Sequence, residues 1–151
     1  SSGYIGENPL NKPTNLFPII LDVAQNKKKE LSIFGNDWPT RDGTCIRDYI
    51  HVMDLAEAHT NALDYLLEND PQIISMNIGT GRGTSVLEIV NKFTELNNVE
   101  IPFKFEKRRN GDTHFVVADN SLAIKILKWE PKRNINDMCI DYWNSRNYPI
   151  I

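Results

Sequence analysis

The sequence predicts an α/β fold, and three features of its 151 residues agree on it. Short apolar runs of strand character alternate with stretches whose apolar residues recur at helical spacing. The helical stretches carry recognisable start and stop residues. An apolar run ending at Ile78 leads through Gly79-Thr80-Gly81-Arg82-Gly83 into the next helical stretch, which is the strand, glycine turn and helix order of an α/β unit.

Ser1 to Pro13 mixes Ser, Gly, Asn and Pro with little apolar periodicity and reads as an extended lead-in loop. Leu16, Ile19, Ile20 and Val23 then recur at helical spacing. They predict a helix to about Asn26, with Thr14 as N-cap and Pro18 tolerated in the first turn. Lys27, Lys28 and Lys29 fall where the last carbonyls of that helix would lie, so the helix dipole accounts for them without a ligand. Leu31 to Phe34 reads as a strand ended by Gly35-Asn36-Asp37. A polar loop from Trp38 to Thr44 follows. The alternation from Ile46 to Val52 then predicts a second strand with Arg47, Tyr49 and His51 on one face. Asp54 opens a helix whose stripe is Leu55, Ala58, Ala62 and Leu66, and Asp70-Pro71 stops it. Ile73 to Ile78 predicts a buried strand. Ser85 and Glu88 form a capping-box pair ahead of the apolar face Val86, Ile89, Val90, Phe93 and Leu96. Ile101, Phe103 and Phe105 alternate as a further strand, and helical patterns follow around Leu122 to Leu127 and Ile135 to Trp143.

A formal net charge of −3 lacks the basic excess of a surface that neutralises nucleic-acid phosphates. No apolar run reaches membrane-spanning length and the first residues lack a signal-peptide pattern, so a soluble cytoplasmic protein is expected, with neither nucleic acid nor membrane as partner. Cys45 and Cys139 are far apart and fit no metal-ligand spacing, so neither a disulfide framework nor a zinc site is expected. The glycine run has the form G-x-G-x-G and misses the dinucleotide G-x-G-x-x-G; it reads as a structural turn and NAD is not assigned to it. Lys107-Arg108-Arg109 followed by Asn110-Gly111-Asp112 offers guanidinium groups for phosphate oxygens and a carboxylate for ribose hydroxyls; a solvated basic turn is the alternative. Arg47 with Tyr49 is another candidate, for which a salt bridge from Arg47 to Asp42 or Asp48 is the alternative. His51 and His59 fit no zinc motif and read as core or partly exposed histidines. No nucleophile elbow, Walker-type loop or Tyr-x-x-x-Lys pair occurs in the chain. Residue types and spacing alone stop at an α/β domain able to take an anionic ligand.

The stretch Phe34 to Ala56, with Phe34-Gly35-Asn36-Asp37 and Asp42-Gly43-Thr44-Cys45-Ile46-Arg47-Asp48-Tyr49-Ile50-His51-Val52, strongly resembles the signature of UDP-glucose 4-epimerases. The likeness extends through Pro13-Thr14-Asn15-Leu16, Asn77-Ile78-Gly79-Thr80-Gly81 and Arg108-Arg109-Asn110-Gly111-Asp112 to Trp143, essentially the whole chain. These enzymes are extended short-chain dehydrogenase/reductases. The resemblance implies that residues 1–151 are the C-terminal, nucleotide-sugar-binding portion. Ile73 to Ile78 and the helix after it would complete a doubly wound sheet built mainly by an N-terminal, NAD-binding half. It further implies that Asn15 and Leu16 contact the UDP moiety, that Ser32, Ile33 and Phe34 line the uracil with backbone groups, that Arg47 and Arg109 bind the diphosphate, and that Asp112 binds the ribose. No residue of this chain is assigned a catalytic role, since the family's Tyr, Lys and NAD loop have no counterparts in it.

The implied chemistry is a transient oxidation at C4 of UDP-glucose or UDP-galactose with NAD as cofactor, which calls for a firm grip on UDP and a loose one on the hexose. Four residues beyond the ribose-binding acid some members carry a tyrosine and others a smaller residue. Val116 stands there in this chain, so UDP-N-acetylhexosamines are further candidate substrates. The N-terminal half of the same enzyme is the implied partner and a homodimer the implied state of the intact protein. Two alternatives stay open: the same portion of another nucleotide-sugar epimerase or dehydratase, and a non-enzymatic nucleotide-binding or interaction module.

Overall fold

The computed structural model describes residues 6–7 and 12–147, so most of the lead-in loop read over Ser1 to Pro13 lies outside the described residues. The elements in chain order are α1 (Leu16–Ala24), β1 (Leu31–Phe34), β2 (Ile46–Arg47), α2 (Val52–Glu68), β3 (Thr84–Ser85), α3 (Val86–Asn97), β4 (Phe103–Glu106), β5 (Phe115–Val116), α4 (Ser121–Leu127) and α5 (Ile135–Ser145). They form two small sheets. In one, β1 and β4 run parallel from Leu31 opposite Phe103 to Phe34 opposite Glu106. In the other the order is β3-β2-β5, with β2 antiparallel to β3 and parallel to β5.

The helices follow from their apolar faces. Ile20 and Val23 of α1, Leu31 and Ile33 of β1, Ile89, Val90 and Phe93 of α3, and Cys139 of α5 close into the main core. A smaller core joins Ala58 of α2 to Ala123 and Leu127 of α4 and to Trp129. Burying one such leucine or phenylalanine side chain stabilises by roughly 1.5–3 kcal/mol, and the two cores set which faces of α2 and α3 turn inward. The capping box expected at Ser85 and Glu88 is present in full: Ser85 Oγ accepts from Glu88 N and the Glu88 carboxylate accepts from Ser85 N. No helix of the described residues is long and apolar enough to cross a membrane.

Several expectations need correction. The first helix ends at Ala24 rather than near Asn26, and its N-cap is Asn15, not Thr14. Lys27 to Lys29 lie beyond its last turn. There the backbone N–H groups of Lys27 and Lys28, not their charges, donate to Asp22 O.

The strand read over Ile46 to Val52 is only Ile46–Arg47, and α2 begins at Val52 instead of Asp54. His51 is the reason. Its Nδ1 accepts from Met53 N at 3.0 Å as an N-cap, so its Nε2 carries the proton and donates to Asp141 Oδ2 at 3.1 Å. His51 is thus a satisfied buried histidine joining α2 to α5, while His59 is exposed and bonds to Leu55 O. Asp54, fully buried, fixes the first turn of α2 from the other side: its carboxylate accepts from the backbone N–H groups of Lys132 and Arg133 and from the Arg133 guanidinium.

Ile73 to Ile78, read as a buried strand, forms no strand among the described residues, and Ile73 is fully exposed. Its alternation is real, with Met76 and Ile78 packed on the smaller core. A strand also needs a neighbour's N–H and C=O groups, and no strand among the described residues runs beside it.

The salt bridge from Arg47 to Asp42 or Asp48 is absent as well. Neighbouring residues leave an extended backbone on opposite sides, and both carboxylates are taken by partners distant in the sequence.

Candidate functional site

The parallel pairing of β1 with β4 carries both chains to the same end, where β1 finishes at Phe34 and β4 runs on into the 107–112 loop. That geometry lays the Arg109 guanidinium over the Phe34 ring, 4.4 Å from its centre. Asp112 turns back within the same loop: its Oδ2 accepts from Arg109 Nε at 3.1 Å and its N–H donates to Arg109 O at 3.2 Å. Arg47 enters from β2, its Nη1 donating to Ile46 O at 2.8 Å. Leu16 closes the wall from the first turn of α1.

Between these elements lies a cleft of about 140 Å³, lined among others by Leu16, Ser32, Ile33, Phe34, Arg47, Arg109 and Asp112. A second cleft of about 620 Å³ adjoins it, sharing Leu16 and Tyr49, and its wall includes Asn15, Asp48, Asp141 and Tyr142. Seven of the nine residues singled out in the sequence therefore meet in one place. Asn15 lines only the larger cleft and donates from Nδ2 to Glu7 Oε1 at 2.7 Å. Val116 lines neither; in β5 it sits opposite Arg47 in the parallel register and is half exposed.

Electrostatically the smaller cleft offers two guanidinium groups, one carboxylate and the backbone groups of β1. Two such groups fixed on separate elements suit a ligand with two adjacent anionic centres. Tyr49, on the wall shared by both clefts, is mostly buried, which pushes its hydroxyl up to about 12 and keeps it a neutral donor.

The glycine run proves to be the structural turn that its spacing suggested. Asp48 Oδ1 accepts from Thr80 N at 2.9 Å and from Thr80 Oγ1, while Oδ2 accepts from Gly81 N at 3.0 Å and Ala118 N at 3.2 Å. The amides that could have cradled a phosphate are filled by the chain's own carboxylate. Gly79 is needed there, because a Cβ would meet Asp48 Oδ2 and Ala118 Cβ, each at 2.6 Å. Sequence reasoning missed Asp48 as this hub. Its partners lie 32 to 70 residues away, and no local pattern announces them.

The chain is similar to known proteins over nearly its whole length. The family model described as GDP-mannose 4,6 dehydratase matches residues 4–142. The UDP-glucose 4-epimerase of Bacillus subtilis is 49% identical over 142 residues, covering 94% of this chain and 42% of its own length. The crystal structure of a UDP-glucose 4-epimerase from Stenotrophomonas maltophila, with bound NAD and formylated UDP-arabinopyranose, superposes with a TM-score of 0.92 at 44% identity, covering 97% of this chain and 43% of that one. That of the Bifidobacterium longum enzyme, in complex with NAD+ and UDP, gives 0.90 at 38% identity, with 97% and 43% covered. The chain thus spans about two fifths of the length of the relatives it matches.

Proposed function

Since the chain belongs to the family whose model is described as GDP-mannose 4,6 dehydratase, and is similar over nearly its whole length to UDP-glucose 4-epimerases, we propose that it is the C-terminal, nucleotide-sugar-binding portion of such an epimerase. Its task is to hold the UDP moiety of UDP-glucose and UDP-galactose. The observation that carries this reading is the convergence of Arg47, Arg109 and Asp112 on one cleft beside Ser32 to Phe34. The arginines take the diphosphate, Asp112 the ribose hydroxyls, and the backbone of Ser32, Ile33 and Phe34 the uracil edge, with Asn15 and Leu16 bordering the same ligand from α1.

The glycine turn of this chain does not fit NAD, because Asp48 occupies its amides. In this proposal NAD and the catalytic groups belong to the remaining part of the intact protein, beyond the two fifths represented here. What this chain contributes is position. Binding energy placed on the non-reacting UDP retains a hexose that must present both faces during epimerisation. A cytoplasmic location is carried over from the sequence reading, and a homodimeric intact protein from the family resemblance.

The test is UDP-galactose turnover by the intact protein and by this chain on its own. Conversion by the intact protein and none by the chain alone is expected. Turnover by the isolated chain would refute the division of labour, and an intact protein that binds no UDP-sugar would refute the reading altogether.

A further inference from the structure

Arg108 of the basic run does not line the cleft, and its surroundings are unusually well defined for an exposed side chain. Its guanidinium lies over the Trp38 ring at 3.9 Å from the centre. Its Nε donates to Asp37 Oδ1 at 2.7 Å and its Nη2 to Asp37 O at 2.7 Å. Trp38 in turn donates from Nε1 to Phe34 O at 3.4 Å and stacks against His114 with ring centres 6.4 Å apart. Gly35 makes room for this arrangement: its φ of +84° is the left-handed region, and a Cβ there would run into the Trp38 indole and approach Arg108 Cγ at 3.0 Å.

Adjacent arginines therefore stack on two rings of the same strand-to-loop corner, Arg108 on Trp38 and Arg109 on Phe34. Resting on the UDP-cleft reading above, we propose that Arg108 is a positioning residue. By clasping Trp38 and Asp37 it locks the loop carrying Arg109 and Asp112 to the loop that leads into β2 and Arg47, and so holds both diphosphate-binding arginines at a fixed separation. An isolated surface ion pair would contribute little. Here one planar group is held by a stacked ring and by two hydrogen bonds at once, which fixes its orientation as well as its place. Lysine carries the same charge but has neither the plane nor the fork, so charge and geometry can be separated experimentally.

The experiment is a calorimetric titration of UDP into the intact protein for the wild type, Arg108→Ala, Arg108→Lys, Trp38→Ala and the Arg108→Ala/Trp38→Ala double variant, with UDP-galactose kinetics alongside. The clasp predicts that each single variant weakens UDP on the order of tenfold, as expected when a binding group is misplaced by a fraction of an ångström. It also predicts that lysine does not rescue, that the double variant is no worse than either single, and that KM rises while kcat changes little. A lysine variant that binds UDP as the wild type does would show that only charge matters and overturn the proposal. Additive losses in the double variant would overturn it too. Should Arg108→Ala fail to fold, the comparison of Arg108→Lys with Trp38→Ala decides the matter alone. A wild type that binds no UDP overturns the cleft reading and the clasp together, whereas normal wild-type binding with unaffected variants overturns the clasp only.

Discussion

Arg47 in β2 and Arg109 in the loop after β4 meet at one cleft, which is the arrangement a diphosphate requires and a solvent-facing charge does not. Removing either by Arg47→Ala or Arg109→Ala in the intact protein is expected to weaken UDP binding by about 1.5–3 kcal/mol through loss of a charge-assisted contact. Unchanged affinity by calorimetry would make that arginine structural. Val116 belongs to the same neighbourhood by register, being paired across from Arg47. Val116 lines neither cleft of this chain, but its half-exposed side chain beside Arg47 leaves volume that a tyrosine ring would fill, so the intact protein is expected to turn over UDP-N-acetylglucosamine as well. The Val116→Tyr variant should lose that activity and keep UDP-galactose conversion. A wild type inert toward the acetylated sugar would end this idea. Only part of the residue-level picture was legible beforehand. The family-like motifs marked Arg47, Arg109 and Asp112, and the alternative of a salt bridge from Arg47 to Asp42 or Asp48 is not met because those carboxylates are held by Thr44, Ser85, Thr80 and Gly81.

Elements were readable where their signals are local. The capping box of α3 needs only residues three apart, and it appears as expected. The stretch after Arg47 was misread because alternation reports a buried face and not a paired neighbour, whereas the run Ile73 to Ile78 keeps its alternation but was expected to find its sheet partners mainly in an N-terminal half. The junction of β2 and α3 has a pH signature. Partial burial raises the Asp42 carboxyl, yet hydrogen bonds from Ser85 and Thr44 outweigh it and hold it below its usual value. Glu88 behaves alike: burial raises it, while bonds from Ser85 N–H and Arg41 bring it below the ordinary range. Both groups have depressed folded values, so their stabilisation is present above the ordinary carboxylate pKa of about 4 and is lost as pH falls through the lowered values. The urea midpoint of the intact protein should therefore drop on acidification below about pH 4, and less steeply in Asp42→Asn. An identical slope in that variant would remove Asp42 from the account.

At the scale of the whole chain, the main core underlies the smaller cleft, since Leu16, Leu31, Ile33 and Tyr49 belong to both, and the ends of β1, β2 and the 107–112 loop meet above it. Alternating strands and helices were enough to predict the α/β class. They could not show that β1 pairs with β4, because that contact joins segments about seventy residues apart and no local pattern announces it. The pairing is nevertheless what brings Phe34 under Arg109. The central claim is that this cleft grips UDP, and a crystal structure of the intact protein with UDP tests it most directly. The account predicts the diphosphate within hydrogen-bonding distance of both Arg47 and Arg109, the ribose on Asp112 and the uracil against the backbone of Ser32 to Phe34. A diphosphate bound out of reach of both arginines would contradict it.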